Sequence, residues 1–299
     1  MTQAVILGAS GRLGRALVPL FSAAGFDVIA VARTPTVVHG SDNTRWIPAD
    51  LTIEEDRTRV ATTVDTWTPR HGHVCVVDAV LDRSGVDAMR RSVQGGTETV
   101  LRLRDRLGDR AHGWELTAAS TTAVLAPGLY QTPYGLAKRR QVLTYARSGV
   151  RGTALLLPSL ASALAPQPGA WTARRAGWFY EQASQHLVAM ALATPSRPGF
   201  VIHVPDLAAA STGTATAALS AAGTAVLAHL RSLVLDRDCM QAHRDAARSR
   251  LLLTPNRIRR RVDHHRAPAE LVRRFADRQQ VAVAWQRPSA SSPTGAVRA

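Results

Sequence analysis

A chain of 299 residues with 45% hydrophobic positions has the apolar content to bury one large α/β core, which excludes a globally disordered protein. Its 37 Lys+Arg against 22 Asp+Glu give a formal charge of +15, concentrated after Leu230, which suits anionic partners. The arginines from Arg231 to Arg278 are nevertheless interleaved with a single aromatic, Phe275, and match no nucleic-acid-binding module, so a solvated helical face is expected and nucleic acid is not.

The first apolar run, residues 4–7, reads as a strand that breaks at Gly8. Residues 13–24 carry helical periodicity, and after Gly25 residues 28–31 return to a β-rich run, completing one βαβ unit. Further strands are predicted at 45–47, 74–77, 115–118, 153–157 and 201–204, with helices at 97–107, 134–147 and 184–193 between them. This alternation predicts an α/β fold with a doubly wound parallel sheet. Residues 158–180 are rich in Ala, Pro and Ser and carry Trp171, Trp178, Phe179 and Tyr180. They leave the carboxyl end of a strand, where open α/β sheets bind ligands, and are read as a variable substrate loop. The expected organisation is a nucleotide-binding domain over 1–205, a smaller, mainly helical, Arg-rich C-terminal cap over 206–287 and a loose tail over 288–299.

Cys75 and Cys239 are the only cysteines, so neither a disulfide framework nor a zinc cluster can be built. A reducing, cytoplasmic setting is expected. No signal peptide and no membrane span are read, because the run around Leu155 to Leu164 is interrupted by Pro158 and serines. The ten histidines form no tight ligand set and no metal is expected.

The most specific local signal is Gly8-Ala9-Ser10-Gly11-Arg12-Leu13-Gly14, glycines spaced three and three directly after a strand and opening a helix. Such a turn lets backbone approach a pyrophosphate, whose charge then sits on free N–H groups at the helix N-terminus. At the end of the second strand, where an acidic residue would bind the ribose 2′-hydroxyl of NAD(H), the chain reads Val31-Ala32-Arg33-Thr34. Arg33, with Arg12 as a second cation, suits a 2′-phosphate, which favours NADP(H) over NAD(H). Asp50, after the third strand, could accept from the adenine amino group, or simply form a turn.

A second constellation is Tyr134-Gly135-Leu136-Ala137-Lys138, set at a helix start by Thr132 and Pro133. A spacing of four puts both side chains on one helical face, where an ammonium lowers a tyrosine pKa from its reference of about 10. Upstream, the strand from Glu115 ends in Ser120-Thr121-Thr122, hydroxyls at a carboxyl strand end that could bind a substrate oxygen.

Together these residues resemble the short-chain dehydrogenase/reductase superfamily, as an extended or atypical member on a Rossmann sheet. The glycine turn is similar to that superfamily's N-terminal signature, Thr121-Thr122-Ala123-Val124-Leu125 to its Ser/Thr-x-x-Val-Tyr stretch, and Tyr134 to Lys138 to its Tyr-x-x-x-Lys motif. Leu156-Leu157-Pro158 resembles the Leu-Arg-Pro stretch after the sixth strand, with Leu157 in place of arginine. The resemblance covers residues 4 to 204. It implies Tyr134 as general acid/base, Lys138 as its pKa modifier and ribose anchor, and Thr121 as the substrate-orienting hydroxyl, with Ser120 the nearest rival. Leu51, Ala79 and Pro158 join Asp50 as implied cofactor contacts. Two stretches depart from the pattern: Val93-Gln94-Gly95-Gly96-Thr97 lacks the relay asparagine, and Val77-Asp78-Ala79-Val80-Leu81-Asp82 replaces the Ala/Gly-rich run after the fourth strand. The implied activity is NADPH-dependent reduction of a carbonyl, or oxidation of an alcohol, on a small molecule. The alternatives are an epimerase, dehydratase or cyclase with bound NADP, and a non-catalytic NADP-sensing regulator. A homodimer is left open.

Overall fold

In a computed structural model of the chain, the described residues are 2–35, 43–69, 72–82, 84–108, 113–121, 124, 133–157, 160–161, 178–192, 199–203, 268–279, 281 and 284–286. The apolar runs form the strands β1 (Thr2–Leu7), β2 (Asp27–Ala32), β3 (Thr44–Pro48), β4 (His73–Asp78), β5 (Gly113–Thr121), β6 (Gly152–Leu157) and β9 (Phe200–His203). With β10 (Ala284–Gln286) they make one eight-stranded sheet in the order β10-β9-β6-β5-β4-β1-β2-β3, with every pairing parallel. Two-residue strands β7 (Leu160–Ala161) and β8 (Trp178–Phe179) pair separately, at the two ends of the segment read as a substrate loop.

Six described helices connect and cover the strands: α1 (Arg12–Ala23), α2 (Glu54–Trp67), α3 (Val86–Leu107), α4 (Pro133–Arg147), α5 (Tyr180–Leu192) and α6 (Pro268–Gln279). Alternation along each strand divides the core. Val74, Val76, Leu116 and Ala118 face Val60 of α2, Val100 of α3, Val142 of α4 and Phe275 of α6, whereas Cys75, Val77, Ala119 and Leu155 face Leu17 of α1 and Leu187 of α5. Helices on both faces are what a parallel sheet requires, since neither face can be left to water. The central strands are accordingly continuous Val, Ile, Leu and Ala rather than alternating text.

The structure extends the expected elements in three places. Helix α2 has no counterpart in the sequence reading, α3 begins eleven residues before the predicted Thr97, and β10 joins the main sheet from within the region expected to be helical. Most of the expected C-terminal cap, and all of the tail, lie outside the described residues. Among the described residues no helix is long and apolar enough to cross a membrane.

Candidate cofactor and active site

The strand order places β1 between β2 and β4, so the glycine turn after β1 opens at the carboxyl edge of the sheet, beside its topological switch point. Gly8 has a φ of 81°, a region that favours glycine, and its N–H and that of Ala9 donate to the Val31 carbonyl at 3.0 Å. A Cβ on Gly8 would stand 2.9 Å from the Ala79 carbonyl oxygen, and one on Gly14 only 2.3 Å from that of Gly8. Any side chain at Gly14 would therefore push α1 off the turn. The turn is thin enough for a ligand to reach its backbone, and α1 has no side-chain cap and no acidic residue in its first turn. Ser10 uses its carbonyl to accept from Arg15 Nε at 2.9 Å, while Gly11 and Arg12 are exposed and Leu13 is half-buried against the α1 side of the core. This cradle fits a diphosphate.

The remaining expected cofactor contacts divide. Arg33 is exposed just beyond β2 and forms an ion pair with Asp82 at 2.9 Å. Asp50 is engaged in turn formation, its Oδ1 accepting from the Thr52 N–H at 2.9 Å and the Thr52 hydroxyl at 2.8 Å. Leu51 is buried and its carbonyl packs against Gly95 of α3, where a Cβ would come within 1.9 Å. The Ala79 N–H donates to the Leu7 carbonyl at 3.1 Å, tying the end of β4 to the end of β1. Pro158 lies outside the described residues.

Lys138 has a role the sequence pattern did not reveal. Its side chain runs inward from α4 and is buried, with Nζ donating to the Ala119 carbonyl at 3.1 Å, Gln141 Oε1 at 3.0 Å and, at 3.4 Å, the Val80 carbonyl. Gln141 Nε2 in turn donates to Asp78 Oδ2 at 2.6 Å, and the Tyr145 hydroxyl donates to the same oxygen at 2.5 Å. Asp78 Oδ1 accepts from the Val80 N–H at 3.1 Å. Burial lowers the pKa of Lys138, opposed by the negative charge of Asp78, and burial together with Asp78 raises that of Tyr145 well above 10. Asp78, Gln141 and Tyr145 were not picked out from sequence. The readable signal is that Gln141 and Tyr145 stand three and seven residues after Lys138, on its helical face, opposite an acidic residue that ends an apolar strand.

Tyr134 is half-buried at the start of α4, packed with Val86, Met89, Val93 and Ala137 between α3 and α4. Ser120 is 3% exposed, and its Oγ has no hydrogen-bond partner among the described residues. By alternation with Leu116 and Ala118 it points to the face of β5 that carries α4 and Asp78, whereas Thr121, half-buried, points to the other. Val124, beyond β5, is held to α4 by Arg139, whose Nε and a terminal guanidinium nitrogen donate to its carbonyl at 3.0 and 2.8 Å. Among the described residues no group of three or more His, Cys, Asp or Glu could hold a metal ion.

No family model matches the chain, and no curated protein matches it in sequence. Its structure is similar to many solved ones. ElxO with NADP bound is 12% identical, with a TM-score of 0.58 over 68% of this chain and 96% of that one. A short-chain dehydrogenase from Streptomyces avermitilis is 17% identical, with a TM-score of 0.53 over 77% of this chain and 95% of that one. A short-chain type dehydrogenase/reductase from Mycobacterium ulcerans is also 17% identical, with a TM-score of 0.54 over 67% and 87% of the two chains. The fold is that of the short-chain dehydrogenase/reductase structures.

Proposed function

We propose that this chain, built on the short-chain dehydrogenase/reductase fold, is an NADP(H)-dependent oxidoreductase that reduces a carbonyl, or oxidises an alcohol, of a small molecule. The observation that carries the reading is the convergence of two motifs on one sheet edge. The ammonium of Lys138 is held by the Val80 and Ala119 carbonyls, beyond β4 and near the end of β5, and the glycine turn packs against Ala79 beside them. Sequence-distant motifs gathered at the carboxyl edge beside β1 match the place where open α/β sheets bind dinucleotides.

In this reading the turn from Gly8 to Gly14 binds the diphosphate on backbone N–H groups, and Arg33 and Arg12 favour the 2′-phosphate of NADP(H) over the hydroxyl of NAD(H). The nicotinamide, when bound, supplies or accepts the hydride. Tyr134 gives a proton to the carbonyl oxygen during reduction and takes it from the hydroxyl in the reverse direction. Lys138 favours the phenolate by its charge, and a hydroxyl at the end of β5, from Ser120 or Thr121, donates to the developing oxyanion. The ElxO structure carries NADP, which is consistent with a fold of this kind accepting that cofactor. Tyr134→Phe tests the assignment: turnover should vanish while NADPH affinity stays within about twofold, and retained turnover would overturn it.

One observation favours a second reading, a non-catalytic NADP-sensing protein. An ammonium has only three N–H donors, and Val80, Ala119 and Gln141 supply three acceptors for those of Lys138. A ribose could be anchored only by displacing one of them, the contact at 3.4 Å being the weakest. Cofactor binding with no reaction that depends on Tyr134, across a panel of small carbonyl compounds, would decide for the sensor.

A further inference from the structure

The ion pair between Arg33 and Asp82 crosses the crevice that the proposed cofactor would enter. Arg33 follows β2 and Asp82 follows β4, and β1 with its glycine turn lies between those strands. Two strand spacings separate the backbones the pair connects, about 10 Å, so the two side chains reach toward each other over the end of β1. Asp82 is a prepared acceptor. Its N–H donates to Ser92 Oγ at 3.0 Å, its Oδ1 accepts from the Ser84 N–H at 2.8 Å, and Ser92 Oγ is itself fixed to the Met89 carbonyl at 2.9 Å. The carboxylate side chain is 14% exposed, whereas that of Arg33 is 61% exposed and reaches in from the rim. Asp82 therefore holds its place on the start of α3, and Arg33 is the partner that can swing.

We propose that Asp82 is a specificity-determining residue: it competes with the 2′-phosphate of NADP(H) for the guanidinium of Arg33 and so sets how far the chain discriminates between phosphorylated and unphosphorylated dinucleotides. This rests on the cofactor reading above and adds to it a residue that no dinucleotide fingerprint contains. A dinucleotide lying with its diphosphate on the glycine turn carries its adenosine ribose toward the end of β2, where Arg33 stands. A 2′-phosphate there takes over the guanidinium with a stronger, bidentate contact, but it must first break the pair with Asp82 and then lie near that carboxylate. A 2′-hydroxyl meets neither cost. Asp82 thus weakens NADP(H) and leaves NAD(H) almost untouched, holding a basic site to a modest preference.

The test measures NADPH and NADH affinities of the full chain by quenching of its tryptophan fluorescence or by calorimetry, with no substrate present. Asp82→Asn keeps the acceptor for the Ser84 N–H and removes the charge. It should tighten NADPH about fivefold and change NADH by less than about twofold, as expected for releasing one exposed ion pair and one repulsion. In the Arg33→Ala background, where only the repulsion remains to be relieved, the same substitution should tighten NADPH by clearly less than in the parent and again change NADH by less than about twofold. Equal shifts for both dinucleotides, or an unchanged ratio, overturn the role of Asp82 while leaving the cofactor reading intact. Failure of the unsubstituted chain to bind either dinucleotide overturns both.

Discussion

Lys138 and Asp78 are joined through one amide: the Gln141 oxygen accepts from the ammonium at 3.0 Å while its nitrogen donates to the carboxylate at 2.6 Å. Both charged groups are buried, and the amide fixes the distance between them without direct contact. Removing one charge from such a pair leaves the other desolvated without compensation. Asp78→Asn should therefore cost about 2–4 kcal/mol in urea unfolding, and Lys138→Met a similar amount. The double substitution should cost less than the sum of the two, because neither charge is then stranded. Additive losses, or a loss under about 0.5 kcal/mol for Asp78→Asn, would show that the two groups are not coupled.

Packing of α3 depends on a glycine whose missing side chain is required by a neighbouring backbone. A Cβ on Gly95 would fall 1.9 Å from the Leu51 carbonyl oxygen and 2.6 Å from its carbon, and neither can yield as a flexible side chain would. That carbonyl also accepts from Arg57 at 2.9 Å, which pins the segment before α2. Gly95→Ala is predicted to destabilise the fold by more than about 2 kcal/mol despite the better helix propensity of alanine. Gln94→Ala, next to it on the exposed face, should cost about 0.5 kcal/mol or less. Thermal unfolding of the two variants side by side distinguishes steric packing from helix propensity.

The same glycine explains part of what sequence could and could not reveal. The central strands were legible because a parallel sheet covered on both faces writes itself as unbroken apolar text, as in Val74 to Val77. The first half of α3 was not, since Gly95-Gly96 resembles a break until the Leu51 carbonyl is known to sit against it. Helix α2 escaped because only Val60, Ala61 and Val64 are buried, which leaves a weak apolar stripe among Thr and charged residues. At the candidate site, the glycine turn was legible because its constraint is local. The partners of Lys138 and Arg33 were not, because Asp78 and Asp82 read as ordinary residues at a strand end and only the strand order brings them to their cations.

Ser120 carries a hydroxyl that is buried and unpaired among the described residues, a cost that folding would normally remove. If that hydroxyl serves a ligand, stability and function should move in opposite directions when it is deleted. Ser120→Ala is expected to raise the unfolding free energy by about 1 kcal/mol and to lower turnover by at least tenfold. Thr121→Ala supplies the comparison, with the larger loss of turnover identifying the substrate-orienting hydroxyl. A destabilised Ser120→Ala variant would mean that the hydroxyl already has a structural partner.

Glu115 lies at the opposite end of β5, in register with Cys75 of β4, and is 4% exposed. Burial raises its pKa to about 7 against an ordinary 4.5, only partly offset by the charge of Arg151. The folded chain therefore holds this proton more tightly than the unfolded one. Its contribution to stability is complete below about pH 4.5, declines as the pH rises through the interval up to about 7, and is lost above it. A shift of that size corresponds to about 3 kcal/mol at most, reduced to about 1–2 kcal/mol where solvent screens the carboxylate. Glu115→Gln keeps the shape and removes the titration. Its Tm should match the parent at pH 5 and exceed it by about 3–6 °C at pH 8. Calorimetric scans at the two pH values check this, and parallel pH slopes for the two proteins would show that Glu115 is ionised in the folded chain throughout.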